Sequence, residues 1–312
     1  MKPNRREILK SIGGVIGASG LTFSSPTLVG DDKLPREAPS SSGTVGLPKN
    51  WRSMRKIDVH AHVWQSLHLP DADWSGAEDL VEAAETLGIE KLCCSRPITG
   101  GVMADTEKVR DANDSVLAAM KRYPDRIAGF CFVQPGNGPA ALAEIDRCVD
   151  AGMIGVKLYN QFKYSDPILF PIAERCIAHR IPIIGHSGHV TDAKTKASQP
   201  NISDSLDFCM LSERYPELLL IMAHVNGGGD WEWAIKALRA CPNVYLDTSG
   251  SVLESDTIGM CVQELGHKRI LFGTDSTMEG GVGKILSADL TPTQRGDIFW
   301  RNLQQILDRR SA

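Results

Sequence analysis

The stretch Ile57-Asp58-Val59-His60-Ala61-His62-Val63 decides the fold. It is a short run in which Ile57, Val59, Ala61 and Val63 alternate with Asp58, His60 and His62, the two histidines lying two residues apart near its C-terminal end. On a strand that spacing puts both imidazoles on one face, about 6–7 Å apart along the chain. Taken with the strand candidates that follow, which are rich in Ile, Val, Leu and Phe and run almost continuously apolar, it reads as a strand of a sheet buried on both faces, as in a parallel sheet.

Seven further runs of this kind follow: Lys91–Ser95, Ile127–Val133, Gly155–Tyr159, Pro182–His186, Leu218–His224, Val244–Thr248 and Arg269–Thr274. Amphipathic segments alternate with them and carry helix start and stop signals. Ser75 opens the first and Gly88 ends it. Asp105 to Tyr123 is stopped by Pro124, and Pro139 to Ala151 by Gly152. Pro167 to Arg180 ends before Pro182, Ser203 to Tyr215 before Pro216, and Asp230 to Cys241 before Pro242. Ser255 to Leu265 ends at Gly266, and Thr291-Pro292 caps the last helix. Eight β/α units in about 250 residues predict a closed TIM (β/α)8 barrel, an α/β fold. A doubly wound open sheet is the alternative.

Polar residues gather at the C-terminal ends of these strands: His60 and His62 on the first, Ser95-Arg96 on the second, Lys157 on the fourth. His186, His224, Asp247-Thr248-Ser249 and Thr274-Asp275-Ser276 close the last four. In a barrel of this type those ends form one bowl, where the active site is built. His60 and His62, joined by a third nitrogen from His186 and a carboxylate from Asp275, describe a catalytic metal site, most often zinc. Such an ion lowers the pKa of a bound water toward about 7. His224 would orient that water, act as acid or base, or polarise the substrate. A lone histidine in a barrel strand is more often a hydrogen-bonded interior residue than a ligand. It is the joint placement on four strand ends that argues for a metal.

Five of these pieces together resemble the amidohydrolase superfamily, and more closely its amidohydrolase-2 branch, which includes the aminocarboxymuconate-semialdehyde decarboxylase relatives. They are Ile57–His62, Gly155-Val156-Lys157-Leu158-Tyr159, Ile183-Ile184-Gly185-His186, Leu220-Ile221-Met222-Ala223-His224-Val225-Asn226-Gly227-Gly228 and Ile270-Leu271-Phe272-Gly273-Thr274-Asp275. Arg301-Asn302-Leu303 is similar to that branch's closing helix, so the resemblance runs from about Ile57 to Leu307. It implies His60, His62, His186 and Asp275 as metal ligands, His224 as the catalytic histidine, and Asp275 as a second proton acceptor. Lys157 corresponds to a lysine that is carboxylated and bridges two ions in some members of the superfamily. Otherwise it is a charged mouth residue that pairs with Asp275 or a substrate carboxylate. One zinc ion is the favoured cofactor, with two ions, or another divalent metal, as alternatives.

Arg96 could grip a substrate carboxylate in a fork or pair with an acidic neighbour on the rim. Trp64, Gln65, Tyr159 and Asn226 stand just past strand ends and could shape the pocket. Gly185-His186-Ser187-Gly188-His189 is not a serine elbow, since His189 replaces the last glycine. Gly280-Gly281-Val282-Gly283-Lys284 lacks the spacing of a phosphate loop.

The expected reaction is hydrolysis of a C–O or C–N bond in a small molecule. Non-oxidative decarboxylation is the alternative, and a non-catalytic metal- or carbohydrate-binding barrel is the third reading. Arg96 and Lys157 acting as a carboxylate clamp would favour the decarboxylase, whereas a metal-held water beside His224 with no such clamp would favour the hydrolase.

The N-terminus reads as an address. Asn4-Arg5-Arg6-Glu7-Ile8-Leu9-Lys10 resembles a twin-arginine export signal, although Asn4 and Ile8 depart from its usual pattern. The mildly apolar stretch 11–23 that follows is shorter than the roughly 20 residues that span a bilayer. Residues 1–30 are therefore expected to be a signal segment, 31–50 a Pro/Ser/Gly-rich linker and 51–312 the barrel. Export to the periplasm or exterior follows, with no stable membrane association after signal removal. A net charge of −4 with scattered lysines and arginines carries no footprint for nucleic acid. The partner is a small-molecule substrate, and self-association is left open. Eight cysteines without a CxxC pair, in a chain this large, read mostly as buried free thiols.

Overall fold

The structure is a computed structural model, and it describes residues 47–63, 75–99, 101–225, 230–250, 254 and 256–309. The signal segment and most of the linker lie outside the described residues, as do Trp64, Gln65 and Asn226. Among the described residues no helix is long and apolar enough to cross a membrane.

Eight parallel strands follow one another in sequence order around the sheet. They are β1 (Ile57–His62), β2 (Lys91–Ser95), β3 (Ile127–Phe132), β4 (Gly155–Leu158), β5 (Ile183–Gly185), β6 (Leu220–Met222), β7 (Val244–Asp247) and β8 (Ile270–Leu271). The seam between β1 and β8 is closed by Val59 N donating to Phe272 O at 2.9 Å and Asp275 N donating to His60 O at 2.7 Å. The helices are α1 (Ser75–Leu87), α2 (Thr106–Arg122), α3 (Pro139–Asp150), α4 (Phe170–His179), α5 (Ala193–Ser198) and α6 (Ser205–Arg214). Then come α7 (Trp231–Ala237), α8 (Thr257–Leu265), α9 (Met278–Ser287), α10 (Pro292–Gly296) and α11 (Asn302–Asp308), with a π-helical turn at Asp297–Arg301 before the last. The arrangement is the TIM barrel that the alternating pattern predicts.

Side-chain caps hold two of the expected helix starts. The Asp105 carboxylate accepts from Lys108 N ahead of α2, and Thr291 and Gln294 form a reciprocal capping box at α10. Two helices escape the sequence pattern. The short α5 sits in the connection after β5. In α9, three glycines disguise the helix, and one of them has a packing reason. A Cβ on Gly281 would stand 2.7 Å from Thr274 Cγ2, so glycine lets α9 approach the strand end that carries Asp275. Gly155 plays the same part inside the sheet, where Phe130 occupies the space of any Cβ.

Two apolar clusters make up most of the core among the described residues. Ile57, Val59, Cys93, Phe130, Ile184, Ile221 and Leu271, drawn from strands all round the sheet, form the barrel floor with Leu303 and Ile306 of α11. A larger apolar cluster joins the outer strand faces to the helices and includes Ala61, Val156 and Leu158. The pairing of β1 with β2 shifts register between Asp58 and Ala61. Such an irregularity re-aims the side chains that follow it. Below it, Ile57 and Val59 pack in the floor. Above it, Ala61 points to the helices, and His60 and His62 turn into the bowl. The Asp58 carboxylate holds this place by accepting from His60 N at 2.9 Å, Thr274 N at 3.0 Å and Thr274 Oγ1 at 2.5 Å. Burial nevertheless pushes its pKa up to about 7.

The cysteine expectation needs one correction. Cys93, Cys94, Cys131, Cys148, Cys176 and Cys261 are buried free thiols. Cys209 on α6 and Cys241 beyond α7 instead form a disulfide, with Cα atoms 5.5 Å apart and a sequence separation of 32. Two helices packed in space create this pair, and local spacing carries no sign of it. A cross-link closing a loop of this length is worth about 3–4 kcal/mol by loop-closure entropy. Replacing both cysteines with serine is expected to lower the unfolding free energy by that amount, read from urea denaturation. An unchanged midpoint would count against a stabilising role.

Candidate metal centre

His60, buried at the end of β1, is fixed on its Nδ1 side by Asp247 of β7, whose Oδ2 lies 2.7 Å away. A carboxylate can only accept, so Nδ1 carries the proton and Nε2 presents its lone pair to the bowl. His62 is held similarly, with Nδ1 3.1 Å from Ser95 Oγ and 3.3 Å from the Ser95 carbonyl oxygen. That carbonyl can accept Nδ1–H, which leaves the lone pair on Nε2. The two Nε2 atoms are 3.2 Å apart, and Asp275 Oδ1 lies 2.9 Å from His62 Nε2 and 3.7 Å from His60 Nε2.

Two imidazole nitrogens and a carboxylate oxygen therefore converge within 4.8 Å of one another. Tetrahedral bonds of about 2.0–2.1 Å place neighbouring ligand atoms about 3.3 Å apart, so the donor set fits a divalent cation. In the structure the positive charge there comes from Lys157 of β4, whose Nζ is 2.8 Å from His60 Nε2. Burial lowers the Lys157 pKa to about 8.

The remaining histidines form a second arm. His224 Nε2 is 2.9 Å from His186 Nδ1, and His224 Nδ1 is 3.8 Å from Asp275 Oδ2. The backbone N–H of His224 donates to Asp247 Oδ1 and to Ser249 Oγ. His224, Asp275 and Ser276 all adopt left-handed backbone, with φ of 63°, 51° and 65°. Non-glycine residues are held there only where their surroundings over-determine them, commonly at functional sites. His186 stacks on Tyr159 at 4.1 Å between ring centroids.

The electrostatics suit metal binding. Burial lowers His62 to about 4 and His186 to about 3, and it lowers His224 well below the ordinary range with help from the neighbouring His186 and His60. These imidazoles are neutral at pH 7, with lone pairs available. Burial alone would raise Asp247 and Asp275. Contacts with His60 and His224, together with a hydrogen bond from Ser249 to Asp247 and the close approach of His62 to Asp275, hold both well below the usual carboxylate range. Burial pushes the Tyr159 hydroxyl up to about 12, so it stays a neutral donor.

Of the residues expected from sequence, His60, His62 and Asp275 form one ligand group, and Lys157, His224, His186 and Tyr159 surround it. His186 is not within that group of three, and reaches it through His224. Arg96 turns elsewhere. Its guanidinium donates to Ser115 Oγ on α2, beside a cleft of about 580 Å³ lined by Lys108, Asp111 and Asp114. Asp58, Ser95, Asp247, Ser249 and Gln199 received no role from sequence. Asp247 and Ser249 did carry a signal, as polar residues at the mouth end of a strand.

The solved structures that resemble this chain share its fold. A 2,6-dihydroxybenzoate decarboxylase from Rhizobium matches with a TM-score of 0.64 at 17% identity, covering 82% of this chain and 98% of its own. A 4-oxalomesaconate hydratase from Rhodopseudomonas palustris matches with a TM-score of 0.63 at 18% identity, covering 82% and 96%. A dihydroxybenzoic acid decarboxylase from Polaromonas, solved with manganese and the inhibitor 2-nitroresorcinol, matches with a TM-score of 0.60 at 19% identity, covering 83% and 98%. No curated protein matches the sequence. The amidohydrolase family model matches residues 57–302, from the first strand of the barrel into its closing helix. With that match spanning most of its length, the chain belongs to the amidohydrolase family, in the amidohydrolase-2 branch.

Proposed function

We propose that the protein is a metal-dependent hydrolase of C–O or C–N bonds in a small molecule. The observation that carries this reading is the disposition of Arg96. A decarboxylase clamp would need Arg96 and Lys157 together at the bowl, and Arg96 is bonded to Ser115 on α2 instead.

His60, His62 and Asp275 would hold the ion, zinc in the first instance, and His186 would complete the set. When bound, the ion supplies Lewis acidity, polarising the scissile group and acidifying the attacking water. The ionised Asp275 and the neutral His224 line the approach to it. His224 Nδ1 takes the proton of the attacking water as the new C–O bond forms. It returns that proton to the leaving oxygen or nitrogen as the old bond breaks. Tyr159 and Lys157 face the same space and orient the substrate.

Non-oxidative decarboxylation is the second reading. Lys157 favours it, as a buried ammonium that a substrate carboxylate could engage. The test is a screen of lactones, amides and aromatic carboxylates against protein loaded with Zn2+ or Mn2+, following acid release and carbon dioxide separately. Hydrolysis products without carbon dioxide are expected. Stoichiometric carbon dioxide would transfer the assignment to the second reading, and protein that retains no metal would remove both.

Export through the twin-arginine-like segment is part of the proposal. The Cys209–Cys241 disulfide supports it, since such bonds persist mainly in oxidising compartments.

A further inference from the structure

We propose that Gln199 is a positioning residue that sets which nitrogen His186 offers to the bowl. The inference rests on the metal reading above for its consequence, and on hydrogen-bond geometry for its premise. His186 Nε2 lies 3.2 Å from Gln199 Oε1. The same oxygen accepts from Asn160 Nδ2 at 2.7 Å. Asn160 is almost fully buried, and its own Oδ1 has no hydrogen-bond partner among the described residues. The Asn160 amide N–H donates to Gln199 Oε1, and that bond turns the oxygen of Gln199, rather than its nitrogen, toward His186.

An amide oxygen only accepts. His186 Nε2 must then be the protonated nitrogen, and a neutral imidazole has one N–H. The lone pair is left on Nδ1, the atom that faces His224 Nε2 at 2.9 Å, with His224 Nδ1 facing Asp275 in turn. Gln199 thus does for His186 what Asp247 does for His60, from outside the barrel strands. It stands at the C-terminal cap of α5, where its backbone N–H donates to Thr195 O. The side chain is free of that duty and only partly buried, so substitution leaves the core and the cap intact.

Outer partners that orient a ligating histidine typically change metal affinity by about 10–100-fold when removed. The experiment compares wild type, Gln199→Leu and Gln199→Glu, the last keeping an acceptor oxygen in place. Long-range 1H–15N spectra of histidine-labelled, metal-free protein read the His186 tautomer. Competition with a chelator reads the Zn2+ dissociation constant.

The Nε2–H form is expected in wild type and Gln199→Glu, with Gln199→Leu shifting toward Nδ1–H and binding Zn2+ about 10–100-fold more weakly. A Gln199→Leu protein that keeps the Nε2–H form overturns the proposal, as does one that keeps wild-type Zn2+ affinity while losing only thermal stability. If wild type itself binds no Zn2+, the metal reading fails. The tautomer comparison then still decides the role of Gln199.

Discussion

Replacing Asp275 with alanine is expected to strip the protein of its metal and to lower kcat/KM by at least about 10⁴-fold, or about 5.5 kcal/mol of transition-state stabilisation. Asp275 is the sole anion in the group of converging ligand atoms, 2.9 Å from His62 Nε2. Its carboxylate is kept ionised by the histidines it touches. Its removal takes away both a ligand and the charge that offsets the cation. The residue also sits at φ 51°, where alanine adds backbone strain. Asp275→Asn separates the two effects, since asparagine tolerates left-handed backbone while lacking the negative charge. Metal content of the purified variants together with kcat/KM on the best substrate of the screen checks this. An alanine variant with a full complement of metal would remove Asp275 from the ligand set.

The second large effect belongs to His224. His224→Asn is expected to lower kcat by about 10²–10⁴-fold with metal content unchanged. The reason is positional. His224 lies beside the ligand group rather than in it, with Nδ1 3.8 Å from Asp275 Oδ2. Its backbone is anchored independently of the ring through Asp247 and Ser249. Asparagine keeps the left-handed conformation at φ 63°, so loss of activity would report the imidazole. A barrel that binds metal without catalysis predicts no functional change in this variant. Loss of metal would instead make His224 a ligand.

The barrel and the mouth residues were legible in sequence because they rest on periodicity and direction. Buried parallel strands leave apolar runs, and the residues that spoil each run at its C-terminal end share one bowl. His60, His62, Lys157, His224 and Asp275 all carry that signal. What was not legible depends on contacts between distant segments. Arg96 occupies a strand end like the others, yet its long side chain follows α2 to Ser115. His186 and Gln199 meet because the connection after β5 folds back over the mouth. Asp247 shows as polar, but its partnership with His60 spans 187 residues. The disulfide and the glycine-rich α9 likewise arise from packing between helices, or of a helix against a strand end.

The register shift in β1 places interior side chains at 57 and 59 below it and at 60 and 62 above it. The strand is thereby two segments out of phase, one answering to the apolar floor and the other to the ligands. The floor can be repacked by changes at Ile57 or Val59 without rotating the imidazoles. Because side chains alternate with a period of two, smoothing the shift away at unchanged length would leave the floor in place and swing His60 and His62 outward, against the helices. Foundation and chemistry can drift separately along one short strand, as long as the irregular step that divides them is kept.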